Sequence, residues 1–326
     1  MLLHEAVDAL NLANAPAGVL VDGTFGRGGH SRLILSHARP STHSLVAFDK
    51  DEAAREAAQA LSATARASGT AFTWMHSSFA TANTALRAHG TTAIAGALLD
   101  LGVSSPQIDE AVRGFSFRRD GPLDMRMDQS QGQTAADFLH TATLDQLIHV
   151  LRDYGEERYA VPLAKALIAR RTDADGANRP WTGTHELAAF VASTLRRCGA
   201  PREPGQDPAT RTFQALRIHI NQELTQLQSG LDALFGLLAP GARLVVIAFH
   251  SLEDRIVKQF MRAQSSVPQP PKGLPIRADQ LPQPAGRLIG KAQRPSAAEI
   301  AANPRSRSAI LRIIEKNLVQ PAPCSA

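Results

Sequence analysis

Nine residues, Asp22-Gly23-Thr24-Phe25-Gly26-Arg27-Gly28-Gly29-His30, join an apolar run to a helical pattern that begins at Ser31. Glycines at such a turn let the backbone approach a ligand closely and adopt positive φ, and the N–H groups of a helix start favour negative charge. The spacing differs from the G-x-G-x-x-G of dinucleotide sites, which disfavours a nicotinamide-dependent dehydrogenase. Asp49 ends the next apolar run, where an acid accepts hydrogen bonds from ribose hydroxyls; a plain strand-end cap is the alternative. Phe79 follows the third run and is placed either to cover an adenine ring or to pack in the core. Asp100 closes the fourth, beside the crevice where open α/β sheets bind ligands, and could meet a cofactor's charged end or a reacting group. His250 follows a fifth run, with Ser251 and Glu253 nearby. No G-x-S-x-G elbow accompanies them, so a hydrolase triad is rejected and His250 reads as a structural or substrate-contact histidine.

The elements that must position these groups are legible. Apolar runs at 19–22, 45–49, 72–75, 94–100 and 244–249 read as buried strands, and 31–38 and 52–67 as helices. Their alternation predicts an α/β fold with a parallel sheet. The alternation stops after Asp100. Helical patterns at 135–139, 144–154, 160–171 and 187–197 predict a helical domain over 130–212, inserted into a sheet domain of 1–129 and 213–326. Phe213, Leu216, Ile220, Leu224, Leu227, Leu231, Leu234 and Leu238 then recur at steps of three and four. They predict one long helix with a core-facing stripe, ended by Pro240-Gly241. Residues 267–284 hold six prolines and read as a loop, and 309–315 as a last strand returning to the sheet.

Composition bounds the function. The 326 residues are 44% hydrophobic and 20% charged, enough apolar matter for a sizeable core. Two cysteines cannot build a disulfide framework, and no Cys/His cluster reads as a metal site. No apolar run approaches the roughly 18 residues of a spanning helix, and no secretory signal is visible, so a soluble cytoplasmic protein is expected. The net charge is +5, and the segment from Gly286 onward, with seven basic residues against two acidic, carries that whole balance. It reads equally as a phosphate-tracking surface or as a solvated face.

Longer strings point further. Leu2-Leu3-His4-Glu5-Ala6-Val7, the 22–30 turn, Leu99-Asp100-Leu101-Gly102-Val103-Ser104-Ser105-Pro106-Gln107 and Arg113-Gly114-Phe115-Ser116-Phe117 are followed by Asp120-Gly121-Pro122-Leu123-Asp124-Met125-Arg126-Met127-Asp128. Tyr154-Gly155-Glu156-Glu157-Arg158, Pro208-Ala209-Thr210-Arg211-Thr212-Phe213-Gln214-Ala215-Leu216-Arg217, Phe249-His250-Ser251-Leu252-Glu253-Asp254-Arg255 and Asn303-Pro304-Arg305-Ser306-Arg307-Ser308 continue the order. Over nearly the whole chain the sequence resembles the RsmH (MraW) family, bacterial methyltransferases acting on small-subunit ribosomal RNA. The resemblance implies a Rossmann-like methyltransferase sheet that uses S-adenosylmethionine. It implies methyl transfer to N4 of one cytidine in the decoding region of 16S ribosomal RNA, within the small ribosomal subunit. It further implies cofactor contacts at Gly28, Gly29, His30, Asp49, Phe79, Asp100 and Gln107. The sequence departs from the family at Met1, where a Val is common and further residues usually precede, and at Asp207, where some relatives have His.

Cytosine N4 is a poor nucleophile because its lone pair is delocalised into the ring, so alignment and a nearby hydrogen-bond acceptor are what an enzyme must supply. Asp100 is the best-placed carboxylate, although a cofactor contact competes with that role. Ser104, Ser105 and Asp124 are weaker candidates. The Asp-Pro-Pro-Tyr type loop of many amino-methyltransferases is replaced here by Asp-Leu-Gly-Val-Ser-Ser-Pro-Gln, so that loop's mechanism does not transfer. A base out of its stack needs an aromatic or arginine plane. Phe115, Phe117, Phe138, Tyr154 and Phe249 are available, with Phe138 the stacking choice and His250 a second substrate contact. Arg118, Arg119, Arg126, Arg170 and Arg171 could meet phosphates. A methyltransferase on DNA or protein and a non-catalytic RNA-binding factor are the competing readings. Oligomeric state is left open.

Overall fold

The computed structural model describes residues 1–172, 176–201, 203, 205, 207–267 and 283–318. The chain folds as two compact units, Met1–Gly102 with Leu224–Ala326, and Val103–Glu223. Helix α1 (Leu3–Ala9) precedes β1 (Gly18–Asp22), and α2 (Gly29–His37), β2 (His43–Asp49), α3 (Arg55–Ala67), β3 (Ala71–His76), α4 (Ala82–Ala88) and β4 (Ile94–Asp100) follow. The second unit contributes α5 (Ser105–Asp109), α6 (Ala135–Thr141), α7 (Leu144–His149), α8 (Ala160–Ala169), α9 (Thr184–Arg197) and α10 (Thr210–Asn221). The chain returns through α11 (Glu223–Leu237), β5 (Leu238–Ala248), α12 (Ser251–Gln264), β6 (Gly286–Leu288), α13 (Ala297–Ala302) and β7 (Ile310–Lys316).

The seven strands order as β3-β2-β1-β4-β5-β7-β6. All pairs from β3 to β5 are parallel, and β7 runs antiparallel to both neighbours. Alternate residues feed two cores, as the period of two in a strand requires. Leu20, Leu45, Leu98 and Val245 face α1, α2 and α3, whereas Val21, Phe48, Leu99 and Val246 face α4, α11 and α12. Both faces being covered explains why these strands read as continuous apolar runs. Because the order reverses between β1 and β4, the carboxyl ends of those two strands border the crevice where such sheets take ligands.

Three expectations change. The long helix from Phe213 to Leu238 is two helices, broken at Gln222, whose φ of 52° and ψ of 36° are left-handed. No Gly or Pro marks the break, and a non-glycine there costs roughly 1–2 kcal/mol. Most of the stripe is core, with Leu224 half-buried, but Phe213 and Leu216 serve the second unit's core while Leu227, Leu231 and Leu234 serve the first's. Pro240-Gly241 does not stand between helix and strand; it lies inside β5, where the pairing jumps from Ile94↔Leu238 to Gly96↔Arg243. A bulge is where a strand tolerates a residue without an N–H. Finally, the helical unit is wider than 130–212. Leu123 and Met125 before it, and Phe213 and Leu216 after it, are buried in the same core as Phe138, Leu163 and Leu187. The expected last strand is β7, joined by the three-residue β6 that apolar patterning did not mark. Most of the proline-rich 267–284 segment lies outside the described residues. Among the described residues no helix is long and apolar enough to cross a membrane.

Asn221, the last residue of α10, anchors the motif strand of sequence around Met125 within the second unit. Its amide nitrogen donates to the Met125 carbonyl at 2.7 Å, and its oxygen accepts from the Met127 N–H at 2.7 Å. Met125 itself has φ of 61°. Asn221→Ala would leave buried backbone groups unmatched and is expected to cost about 2–3 kcal/mol. Urea unfolding checks this, and Asn221→Asp, which sets a buried carboxylate oxygen against the Met125 and Arg217 carbonyls, should lose at least as much.

Candidate cofactor site

The glycine turn is built from both ends. Asp22, 0% exposed, accepts from the Thr24 N–H at 3.1 Å and from the Ser31 hydroxyl at 2.6 Å, tying the start of the turn to the first turn of α2. Burial raises its pKa, opposed by the nearby His30. Gly26 and Gly28 have φ of 54° and 73°, so both need the freedom of glycine. A Cβ at Gly26 or Gly29 would meet nothing within 4 Å, so the turn presents open backbone. Gly23 is the reverse case, since a Cβ there would stand 2.3 Å from a Leu99 methyl carbon and 3.0 Å from Phe79 Cβ.

Asp49, at the end of β2, holds the turn directly. Its Oδ2 accepts from the Gly26 N–H at 2.6 Å and its Oδ1 from the Asp51 N–H at 2.8 Å. Burial raises its pKa, and those two N–H groups oppose the rise. Each carboxylate oxygen has a second lone pair to offer a hydroxyl. Phe79 opens the turn after β3 and is half-buried, packed on the core face that includes Leu99 and Leu231. Its ring fills the space that a Cβ on Gly230 would need, at 2.2 Å.

Asp100 ends β4. Its backbone N–H donates to Thr24 Oγ1 at 2.6 Å, which locks the carboxyl end of β4 to the turn after β1. Its Oδ2 lies 3.5 Å from His30 Nδ1 and 3.7 Å from the amino group of Met1. Its Oδ1 is buried without a hydrogen-bond partner. Burial pushes the carboxyl up to about 6; the amino terminus pulls it down, and the Glu253 and Glu299 carboxylates push it further up. Burial also holds the His30 imidazole below its ordinary value, against the pull of Asp22. An unmatched carboxylate oxygen beside open glycine backbone fits a ligand with a positive group at one end and hydroxyls near Asp49.

A family model described as the MraW methylase family matches residues 1–317. The chain belongs to that family. Proteins named Ribosomal RNA small subunit methyltransferase H in Burkholderia vietnamiensis and Burkholderia cenocepacia are each 54% identical to it over 316 residues, covering 97% of this chain and 96% of theirs. A solved rRNA methylase structure from Streptococcus thermophilus aligns over 98% of both chains at 10% identity, with a TM-score of 0.43.

For this MraW-family methyltransferase the turn, Asp49, Phe79 and Asp100 lie together in the first unit, on the β1, β2, β3 and β4 ends that the sequence assigned to them. His250 also follows its expected strand, but as the N-cap of α12: its Nδ1 accepts from the Glu253 N–H at 3.4 Å, and Glu253 Oε2 accepts in return from the Phe249 N–H at 2.8 Å. Gln107, in the second unit, is 5% exposed and accepts from the Ser104 N–H at 2.9 Å in the capping box of α5. Ser104 is therefore a helix cap. Phe138 is not available for stacking on a base. Its ring is 3% exposed in the second unit's core, with its centroid 4.1 Å from that of His219. Asp124 is paired at two points with Arg126, at 2.8 and 2.9 Å. Burial pushes that carboxyl up, yet Arg126 holds it below the ordinary value.

Much of the basic charge is structural. Arg170 pairs with Glu186 and lies over the Trp181 ring, and Arg171 donates to the Leu139 and Ala142 carbonyls. Arg118 and Arg119 remain exposed. In the basic final segment, Arg312 pairs with Asp254 at 2.7 Å, Arg287 with Glu315 at 2.7 Å, and Lys316 donates to the Phe235 carbonyl at 3.3 Å. Sequence reasoning included Asp22 and Thr24 in the turn without giving either a role, and named Ser31 only as the helix start. The signal was an acid at a strand end, with a hydroxyl two residues on and another in the first turn of the following helix.

Proposed function

We propose that the protein transfers a methyl group from S-adenosylmethionine to the N4 amino group of a specific cytidine in the decoding region of 16S ribosomal RNA. The observation that carries the cofactor half is the buried, unmatched Oδ1 of Asp100, a residue tied to Thr24 and facing His30 of the glycine turn. The RNA half is supported by the motif strings and by the names of the Burkholderia relatives. In this reading the cofactor supplies an electrophilic methyl on a sulfonium. Asp49 takes the ribose hydroxyls, Phe79 lies along the adenine, and the N–H groups of Gly29 and the start of α2 face the cofactor's carboxylate. The Gly28 N–H is held by the Phe25 carbonyl at 2.7 Å, so Gly28 contributes its left-handed backbone. Asp100 and His30 take its ammonium, and Gln107 is a further contact.

A carboxyl with a pKa of about 6 is also poised to accept a hydrogen bond or proton from N4 near neutral pH. Asp124 is a poor alternative, because a carboxylate held ionised by Arg126 has little affinity for a proton. We assign substrate recognition to the helical unit, with Arg118 and Arg119 as phosphate contacts and His250 as a substrate-side residue. Its place is the cytoplasm, on small ribosomal subunits.

The test uses small subunits from cells that lack the endogenous activity, incubated with the protein and methyl-labelled S-adenosylmethionine. Nucleoside mass spectrometry should place the label in N4-methylcytidine of 16S RNA. Label confined to protein or DNA would sink the reading.

A further inference from the structure

The peptide joining Met1 to Leu2 is gripped on both edges. Its N–H, on Leu2, donates to Glu299 Oε1 at 2.7 Å, and its carbonyl, on Met1, lies 3.2 Å from His30 Nε2. Leu2 has φ of 49° and ψ of 43° and a side chain only 1% exposed, so the peptide is also held by the core below it. Glu299 sits in the first turn of α13, where Ser296 Oγ accepts the Glu299 N–H at 3.1 Å. In a full capping box the glutamate would reach back to the N-cap backbone. Here its carboxylate reaches Leu2 instead.

The consequence falls on His30. A carbonyl oxygen only accepts, so His30 Nε2 must carry the proton in its contact with Met1. A neutral imidazole then keeps its lone pair on Nδ1, the nitrogen that faces Asp100 Oδ2 at 3.5 Å. If the Met1–Leu2 peptide turned over, Nε2 would meet an N–H, and the opposite tautomer would be favoured. Nδ1 would then hold a hydrogen towards Asp100, satisfying that carboxylate internally and repelling a cationic ligand group.

We propose that Glu299 is a positioning residue for the cofactor site: by fixing the Met1–Leu2 peptide it holds His30 in the Nε2-protonated tautomer, leaving Nδ1 as an acceptor beside Asp100 for the cofactor's ammonium. This rests on the S-adenosylmethionine reading above. The assignment explains why a carboxylate from the last part of the chain is spent on the second residue. It also gives the buried His30 a defined role that the glycine turn alone does not require.

Nitrogen-15 NMR of the histidine rings in the cofactor-free protein reads the tautomer directly, with His30→Gln to assign the signal. Wild type and Glu299→Gln, which keeps an acceptor oxygen, should both show Nε2–H, and Glu299→Ala should show a mixture. Calorimetry with S-adenosylhomocysteine should find Glu299→Ala about tenfold weaker and Glu299→Gln close to wild type. An unchanged tautomer and affinity in Glu299→Ala would overturn the proposal. So would equal losses in Glu299→Ala and Glu299→Gln, which would make Glu299 a charge effect. If wild type fails to bind S-adenosylhomocysteine, the cofactor reading falls, while the ring-nitrogen shifts still judge Glu299.

Discussion

Asp100→Asn lowers the methylation rate by about 10²–10³-fold and leaves the protein folded, if this carboxylate serves both the cofactor's ammonium and the N4 amino group. The substitution preserves shape and removes charge, so the loss reports electrostatics. The pH dependence follows from the same group. Its folded pKa, about 6, lies above the ordinary carboxylate value, because burial penalises the anion. A cationic ligand group needs that anion. Affinity for S-adenosylhomocysteine should therefore rise with pH by up to about tenfold per unit below pH 6 and level off above about pH 7. Asp100→Asn should flatten that profile, which calorimetry between pH 5 and 7.5 measures.

Stability moves the other way. With the folded pKa raised, Asp100 favours the fold fully below its unfolded value near 4, and that contribution is lost as pH rises through about 6. A difference of about two units corresponds to about 3 kcal/mol at most. The raised pKa values of the buried Asp22 and the half-buried Asp49 act in the same direction. At pH 7 the cofactor-free Asp100→Asn variant should thus be more stable than wild type while being far less active, a trade expected of a group kept for chemistry. A less stable variant in thermal unfolding would remove the carboxylate from this role.

Asp49→Ala is expected to weaken cofactor binding by about 100-fold, since hydrogen bonds to a charged group contribute about 1.5–3 kcal/mol each. It loses the proposed ribose acceptor and also the 2.6 Å hydrogen bond that positions Gly26. Asp49→Asn separates the two losses only in part, because its amide nitrogen would compete with oxygen for the place opposite the Gly26 N–H. Unchanged affinity of Asp49→Ala by calorimetry would remove Asp49 from the site.

Sequence by itself determined the alternating strands of the first unit, the glycine turn, and the acids at the ends of β2 and β4. Each is a local pattern: burial on both faces makes a strand uniformly apolar, and a backbone with positive φ selects glycine. The motif strings carried the family in the same way, because they are contiguous. What a residue touches across the chain was decided only by the tertiary structure. Phe138 and Asp124 looked like stacking and proton-transfer candidates, yet one is core and the other is spent on Arg126. The break at Gln222 had no sequence mark, because the packing of Phe213 and Leu231 into different cores outweighs the modest cost of one left-handed residue. Glu299 and Met1 join His30 and Asp100 only because folding closes nearly the whole chain length between them. Periodicity records which face a residue turns inward, and carries no record of the distant partner it finds there.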